Sequence, residues 1–153
     1  MACPREGDPA PDFEFESKSG RTSISSMRGS PIVIYFFPKA FTQGCTRELQ
    51  RFVQLAGEFE ALGAEVIGVS ADGPGTMARF AAKYGARFPL VPDAEKRIIS
   101  EYCAGSERGK GARRVTFVVG PDGMIKAVLE GLRKAEDHAD RALDVLRSSA
   151  HRA

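Results

Sequence analysis

The stretch that most constrains this chain is a strand-like run that leads directly into a helix start carrying a cysteine. Pro31 to Phe37 reads Pro-Ile-Val-Ile-Tyr-Phe-Phe, without a charge. A continuous β-branched and aromatic run of this kind fits a central strand buried on both faces. Pro38-Lys39-Ala40-Phe41 breaks it, and from about Thr42 the period changes. Cys45, Leu49, Phe52, Val53, Ala56, Phe59 and Leu62 recur at spacings of three and four, which predicts one amphipathic helix ending at Gly63. Ala64 to Ser70 is a second buried strand. Strand, helix, strand makes a βαβ unit with parallel strands.

The remaining pattern is compatible with that unit. Phe13 to Ser17 alternates and predicts a short half-buried strand. Helices are expected from about Gly75 to Tyr84, with Met77, Phe80, Ala81 and Tyr84 inward, and from Asp93 to Tyr102, with Ile98 and Ile99 apolar. Residues 104–113 read as a flexible basic loop. Val115 to Val119 and Met124 to Leu129 flank Gly120-Pro121-Asp122-Gly123, which predicts a β-hairpin. A last helix, from about Lys134 to Arg147, puts Ala135, Ala139, Ala142, Leu143 and Leu146 on one stripe. The expectation is one domain over residues 1–153, the first eleven residues forming an irregular lead-in. Its class is α/β, a thioredoxin-like fold with a mixed central sheet flanked by helices on both faces.

Charge and cysteine content narrow the function. Net charge is +2, from 22 basic and 20 acidic residues, which gives no reason to expect nucleic acid or a membrane surface as partner. No apolar run approaches the roughly 20 residues that span a bilayer. The start, Met-Ala-Cys-Pro-Arg-Glu-Gly-Asp, lacks the hydrophobic stretch of a secretory signal, so a cytoplasmic location is expected. An odd, sparse set of cysteines, Cys3, Cys45 and Cys103, argues against a disulfide framework and for reduced thiols. No cluster of Cys, His or carboxylates has ligand spacing, so neither metal nor cofactor is expected.

Of the three, Cys45 has the setting for chemistry. In the first turn of a helix, unpaired N–H groups and the helix dipole favour a thiolate. A thiolate can attack a peroxide O–O bond. Thr42, one turn earlier, can place a hydroxyl beside the sulfur, and Pro38 can close the pocket without adding a competing N–H donor. The departing hydroxide or alkoxide gains negative charge, so a fixed cation lowers the barrier. Arg114 and Arg113, just before the strand Val115 to Val119, are the candidates.

Pro38, Thr42 and Cys45 reproduce the Pro-x-x-x-Thr-x-x-Cys motif of the peroxiredoxins. The run Tyr-Phe-Phe-Pro-Lys-Ala-Phe-Thr-Gln-Gly-Cys-Thr-Arg-Glu resembles their bacterioferritin-comigratory-protein branch. The resemblance continues at Ala10-Pro11-Asp12-Phe13, Val66 to Ser70, Phe88-Pro89-Leu90, Arg114 to Val118 and the terminal helix with His138. It implies a thioredoxin fold and a thiol-dependent peroxidase acting on hydrogen peroxide and organic hydroperoxides, with Cys45 as peroxidatic cysteine. It further implies that Pro38 and Thr42 shape the pocket, that Arg114 activates thiolate and peroxide, and that Glu48 orients the arginine.

Many members of that branch carry a resolving cysteine five residues after the peroxidatic one; here the position is Gln50. Others carry it in the following helix, but residues 74–85 contain no cysteine. A one-cysteine cycle served by an external thiol, from a thioredoxin-like protein or a low-molecular-weight compound, is the expectation, and Cys103 is the alternative resolving thiol. Cys3 is read as an inert thiol in a terminal tail and His138 as a solvent-facing helix residue. Monomer and homodimer both remain open. A disulfide oxidoreductase would need a Cys-x-x-Cys motif, which is missing. A non-catalytic redox sensor using Cys45 is separated from an enzyme only by turnover.

Overall fold

The computed structural model describes residues 3–107, 109 and 111–150. A five-stranded sheet organises them, in the spatial order β5 (Leu90–Pro92), β4 (Glu65–Ser70), β3 (Ile32–Phe36), β6 (Val115–Val119), β7 (Ile125–Leu129). β3 pairs parallel with β4 and β4 with β5, while β6 runs antiparallel to both β3 and β7. A separate two-stranded hairpin joins β1 (Glu14–Ser17) to β2 (Gly20–Ser23).

All five residues of β3 are buried, as a strand without charges at the centre of a sheet must be. Its side chains divide by parity. Ile32, Ile34 and Phe36 face a core shared with Phe13, Phe15, Ile98, Ile99 and Tyr102. Val33, Tyr35 and Phe37 face the opposite core with Cys45, Leu49, Phe52 and Phe80. The second core is covered by α1 (Gln43–Gln54), α2 (Ala56–Ala61), α3 (Pro74–Tyr84) and α5 (Asp137–Ala150). The first core is closed by the β1–β2 hairpin and the short α4 (Arg97–Glu101).

Several boundaries differ from expectation. The helix expected from Thr42 to Gly63 is two helices, α1 and α2, meeting at Leu55. Phe52 and Phe59 stay on the same buried side, so the apolar period crosses the junction unbroken. The helix expected from Asp93 shortens to α4, because Asp93 takes up a turn and accepts the Ile99 N–H through Oδ2 at 2.8 Å. β2 and β5 are additional strands, polar in one case and three residues long in the other. The segment expected as a flexible loop has its ends tied, Arg113 N–H donating to the Ala104 carbonyl at 2.8 Å and Ser106 N–H to Gly111 at 3.0 Å. Arg108 and Lys110, part of that loop's basic character, lie outside the described residues.

The expectation of three reduced thiols is corrected: Cys3 and Cys103 form a disulfide, and Cys45 alone is free. The lead-in is folded back along the body. Gly7 N–H donates to the Ile125 carbonyl at 2.9 Å and Ala10 N–H to Gly123 at 3.0 Å, and the Tyr102 hydroxyl donates to the Pro11 carbonyl. That path brings residue 3 beside residue 103, a closure across a sequence separation of 100. No described helix is long and apolar enough to cross a membrane.

Candidate active site

The site lies where β3 ends and α1 begins. Phe37 N–H still follows the sheet, donating to Val69 at 3.1 Å. Residues 38–41 then turn, and Phe41 adopts φ 68°, an uncommon conformation for a residue other than glycine, asparagine or aspartate. Phe41 is 43% exposed, and its ring packs on Phe80 at 5.0 Å between centroids. Asp72, beyond the end of β4, holds the turn in place: its Oδ2 accepts the Ala40 N–H at 2.8 Å and the Ser70 hydroxyl at 2.7 Å. Asp72 belongs to no motif; its signal is only an acid two residues past the end of a buried strand.

Cys45 occupies the first turn of α1 with 1% exposure. Thr42 is the residue preceding the helix, in extended conformation. Its hydroxyl donates to the Lys39 carbonyl at 2.6 Å, tightening the loop, instead of donating to the Cys45 sulfur. Pro38 is exposed at the strand end. Gly111 closes on it, at φ 85°, and a Cβ there would stand 3.4 Å from the Pro38 carbonyl oxygen.

Arg114, Glu48 and Cys45 come together. The Arg114 guanidinium donates through Nη1 to Glu48 Oε1 at 2.6 Å and through Nη2 to Cys45 Sγ at 3.5 Å. Glu48 and Cys45 are one turn apart on the buried side of α1, and Arg114 arrives from the start of β6. Gly44 leaves room for it, since a Cβ at that position would sit 3.1 Å from Arg114 Nη2. Arg113 points elsewhere, pairing with Glu130 at 2.6 Å and donating to the Cys103 carbonyl at 3.2 Å. Of the two candidate arginines, therefore, only Arg114 contacts the sulfur.

The electrostatics are dominated by burial, with Glu48 at 0% and Cys45 at 1% exposure. Full burial pushes the Glu48 carboxyl up to about 8, although the charge and hydrogen bond of Arg114 pull the other way. Burial opposes the Arg114 charge, but Glu48 and Cys45 outweigh it, and its pKa lies above the ordinary arginine value. Tyr35, under the site on β3, is raised well above the usual phenol value, first by burial and then by Glu48 and Cys45.

His138 is not solvent-facing. It is 1% exposed on α5, and its Nδ1 lies 2.9 Å from the hydroxyl of buried Thr116. Burial pushes it down to about 4, and the nearby Arg114 charge adds to that effect. The signal was in the sequence, because position 138 falls on the same stripe as Ala135 and Ala142. Gln50, the usual place of a resolving cysteine, is exposed. Cys103, the candidate resolving thiol, has its sulfur committed to Cys3.

The chain is similar to proteins of one known family along most of its length. The AhpC/TSA family matches residues 6–128. The chain is 32% identical over 145 residues to a chloroplastic peroxiredoxin Q of Populus jackii, covering 94% of this chain and 68% of that protein. Among solved structures, the peroxidoxin BcpB of Mycobacterium tuberculosis superposes with a TM-score of 0.85 at 32% identity, covering 95% of this chain and 97% of that one. A bacterioferritin comigratory protein of Xanthomonas campestris, studied for its alkyl peroxide reduction activity, gives 0.81 at 32% identity, covering 90% and 92%. With a strand-to-helix cysteine, a mixed thioredoxin-like sheet and similarity along nearly its whole length, this chain belongs to the AhpC/TSA family and is a thiol-dependent peroxidase of the peroxiredoxin Q and bacterioferritin-comigratory-protein type.

Proposed function

We propose that the chain, acting as a single domain, reduces hydrogen peroxide and organic hydroperoxides through Cys45, which becomes a sulfenic acid and is recycled by an external thiol. The observation that carries this reading is the Arg114 guanidinium bridging Cys45 Sγ and Glu48 at 3.5 and 2.6 Å. One nitrogen faces the nucleophile, and the other is anchored by a buried carboxyl, so the cation stays in place as charge moves. The alkyl peroxide reduction activity of the Xanthomonas campestris relative supports the inclusion of organic hydroperoxides.

The Cys45 thiolate attacks one peroxide oxygen. The O–O bond breaks as S–O forms, and the departing oxygen takes a proton and leaves as water or an alcohol. Sulfur is oxidised to sulfenic acid and the peroxide is reduced. Arg114 stabilises the negative charge as it passes from sulfur to the leaving oxygen. Glu48 orients Arg114, while Pro38 and Thr42 shape the loop over the sulfur. An external thiol then condenses with the sulfenic acid, releasing water, and a second thiol displaces Cys45 from the mixed disulfide. The external route is favoured because Gln50 offers no thiol in α1 and Cys103 is bonded to Cys3. A thioredoxin-like protein or a low-molecular-weight thiol meets the requirement equally.

Cys45→Ser tests the proposal. A serine hydroxyl stays protonated at neutral pH and is a poor nucleophile toward O–O, so peroxide consumption falls to background while the fold persists. Consumption at the parent rate by the folded variant would refute it.

A further inference from the structure

The second sulfur centre does not take part in the chemistry at Cys45 described above. We propose that Cys3–Cys103 is a separate thiol–disulfide site of this chain, opened and reclosed by an external dithiol that attacks at the Cys3 sulfur.

The two halves of the bond differ in access and support. Cys3 is exposed, near the beginning of the described chain, whereas Cys103 is half-buried between Tyr102 at 1% and Ala104 at 0% exposure. Cys103 is held on both sides: its own N–H donates to Ser100 at 3.1 Å and the Ala104 N–H to Ile99 at 2.8 Å. Disulfide exchange proceeds by attack of a thiolate on the accessible sulfur, and the better-placed leaving group departs. Here the incoming thiolate bonds to Cys3, and Cys103 leaves as a thiolate. The same residue is held through its backbone by a cation: Arg113 Nη2 donates to the Cys103 carbonyl at 3.2 Å, and Glu130 anchors Nη1 of that guanidinium at 2.6 Å. The second thiol of the reductant then attacks the mixed disulfide and frees Cys3. Two electrons and two protons pass from the dithiol to the chain, and the reductant leaves as a disulfide.

Opening the bond leaves the fold in place, which makes the site reversible. The lead-in is fastened independently by Gly7 to Ile125 at 2.9 Å, by the Pro9 to Met124 bridge and by the Tyr102 hydroxyl on Pro11. Only the few residues before that first anchor depend on the disulfide, so Cys3 stays tethered close to Cys103 and can close again. The chain has three cysteines, so the state of this pair decides its thiol supply. Closed, it offers a Cys45 sulfenic acid no internal thiol; open, it carries two. The site itself does not depend on the reading given to Cys45.

The test is incubation of the folded protein with glutathione, then separately with dithiothreitol, each quenched by alkylation and read by peptide mapping. With glutathione the mixed disulfide is expected on Cys3, with Cys103 alkylated. With dithiothreitol both should be alkylated in protein of unchanged circular dichroism, and oxidised dithiothreitol should restore the crosslink. Glutathione found on Cys103 would overturn the proposed direction. A bond that dithiothreitol opens only after denaturation would mark a structural staple and overturn the site. Cys3→Ser, assayed with a monothiol, should consume peroxide within about twofold of the parent, since Cys3 is outside the peroxidatic machinery. Loss of that activity would contradict the separateness of the two centres, while the mapping result would stand whether or not Cys45 proves peroxidatic.

Discussion

Replacing Arg114 by alanine removes the cation that, among the described residues, contacts the Cys45 sulfur. At 3.5 Å, a unit charge interacting with a thiolate is worth roughly 4–5 kcal/mol at an effective dielectric near 20. The Arg114 side chain is 24% exposed, so water recovers part of this. A loss of about 2–4 kcal/mol in transition-state stabilisation is the reasonable range, matching what removal of one preorganised donor costs in other active sites. That corresponds to roughly 30- to 1000-fold in the rate of the peroxide step. The remaining carboxyl does little harm to folding, because burial raises Glu48 and Arg114 is what pulls it down, so without the arginine the carboxyl takes up a proton instead of standing as a buried charge. Arg114→Lys keeps the charge but not the two-pronged geometry, and should recover only part of the loss. The assay is single-turnover peroxide consumption by stopped flow, with a thermal melt to establish folding. Arg113→Ala is the internal control, since that side chain serves Glu130 and the Cys103 carbonyl, and it should stay within about twofold of the parent. Arg114→Ala within threefold of the parent, or an equal loss in Arg113→Ala, would refute the assignment.

Three further outcomes follow from the same geometry. Gly44→Ala places a Cβ 3.1 Å from Arg114 Nη2 and should push the guanidinium off the sulfur, slowing the peroxide step several-fold with little change in melting temperature; unaltered single-turnover kinetics would show that the contact is dispensable. His138 is lowered from 6.5 to about 4, so the stability it contributes is present above pH 6.5 and is lost as pH falls through 4. Urea unfolding should lose about 2–3 kcal/mol over that window in the parent and less in His138→Gln. Cys3→Ser removes a crosslink spanning a sequence separation of 100, worth about 2–5 kcal/mol, and should lower the melting temperature by roughly 5–15 °C in a scanning calorimeter.

How far the sequence reached depended on whether the signal was local. The strand Pro31 to Phe37, the helix start at Cys45 and the hairpin about Gly120 to Gly123 are visible because composition, period and turn residues agree within a dozen positions. The break at Leu55 was hidden because Phe52 and Phe59 keep the apolar stripe in phase across it. β2 is Gly-Arg-Thr-Ser, with no alternation to read, and becomes a strand only by pairing with β1. At the site, Arg114 and Glu48 were legible through the family resemblance, but their contact spans 66 positions and rests on how α1 lies against β6. The burial of His138 is readable from its helical phase, against the usual preference of histidine for partly exposed positions. The Cys3–Cys103 bond was out of reach, since nothing local marks the return path of the lead-in.

The central claim is that Cys45 is the atom that peroxide oxidises. Its most direct test is one equivalent of peroxide added to the parent, followed at once by a sulfenic-acid trap and mapping of the modified peptide, with Cys45→Ser in parallel. The account predicts one trapped sulfenic acid on Cys45 per peroxide consumed, no adduct on Cys3 or Cys103, and neither consumption nor adduct in the serine variant. Peroxide consumed at the parent rate with Cys45 unmodified would contradict it.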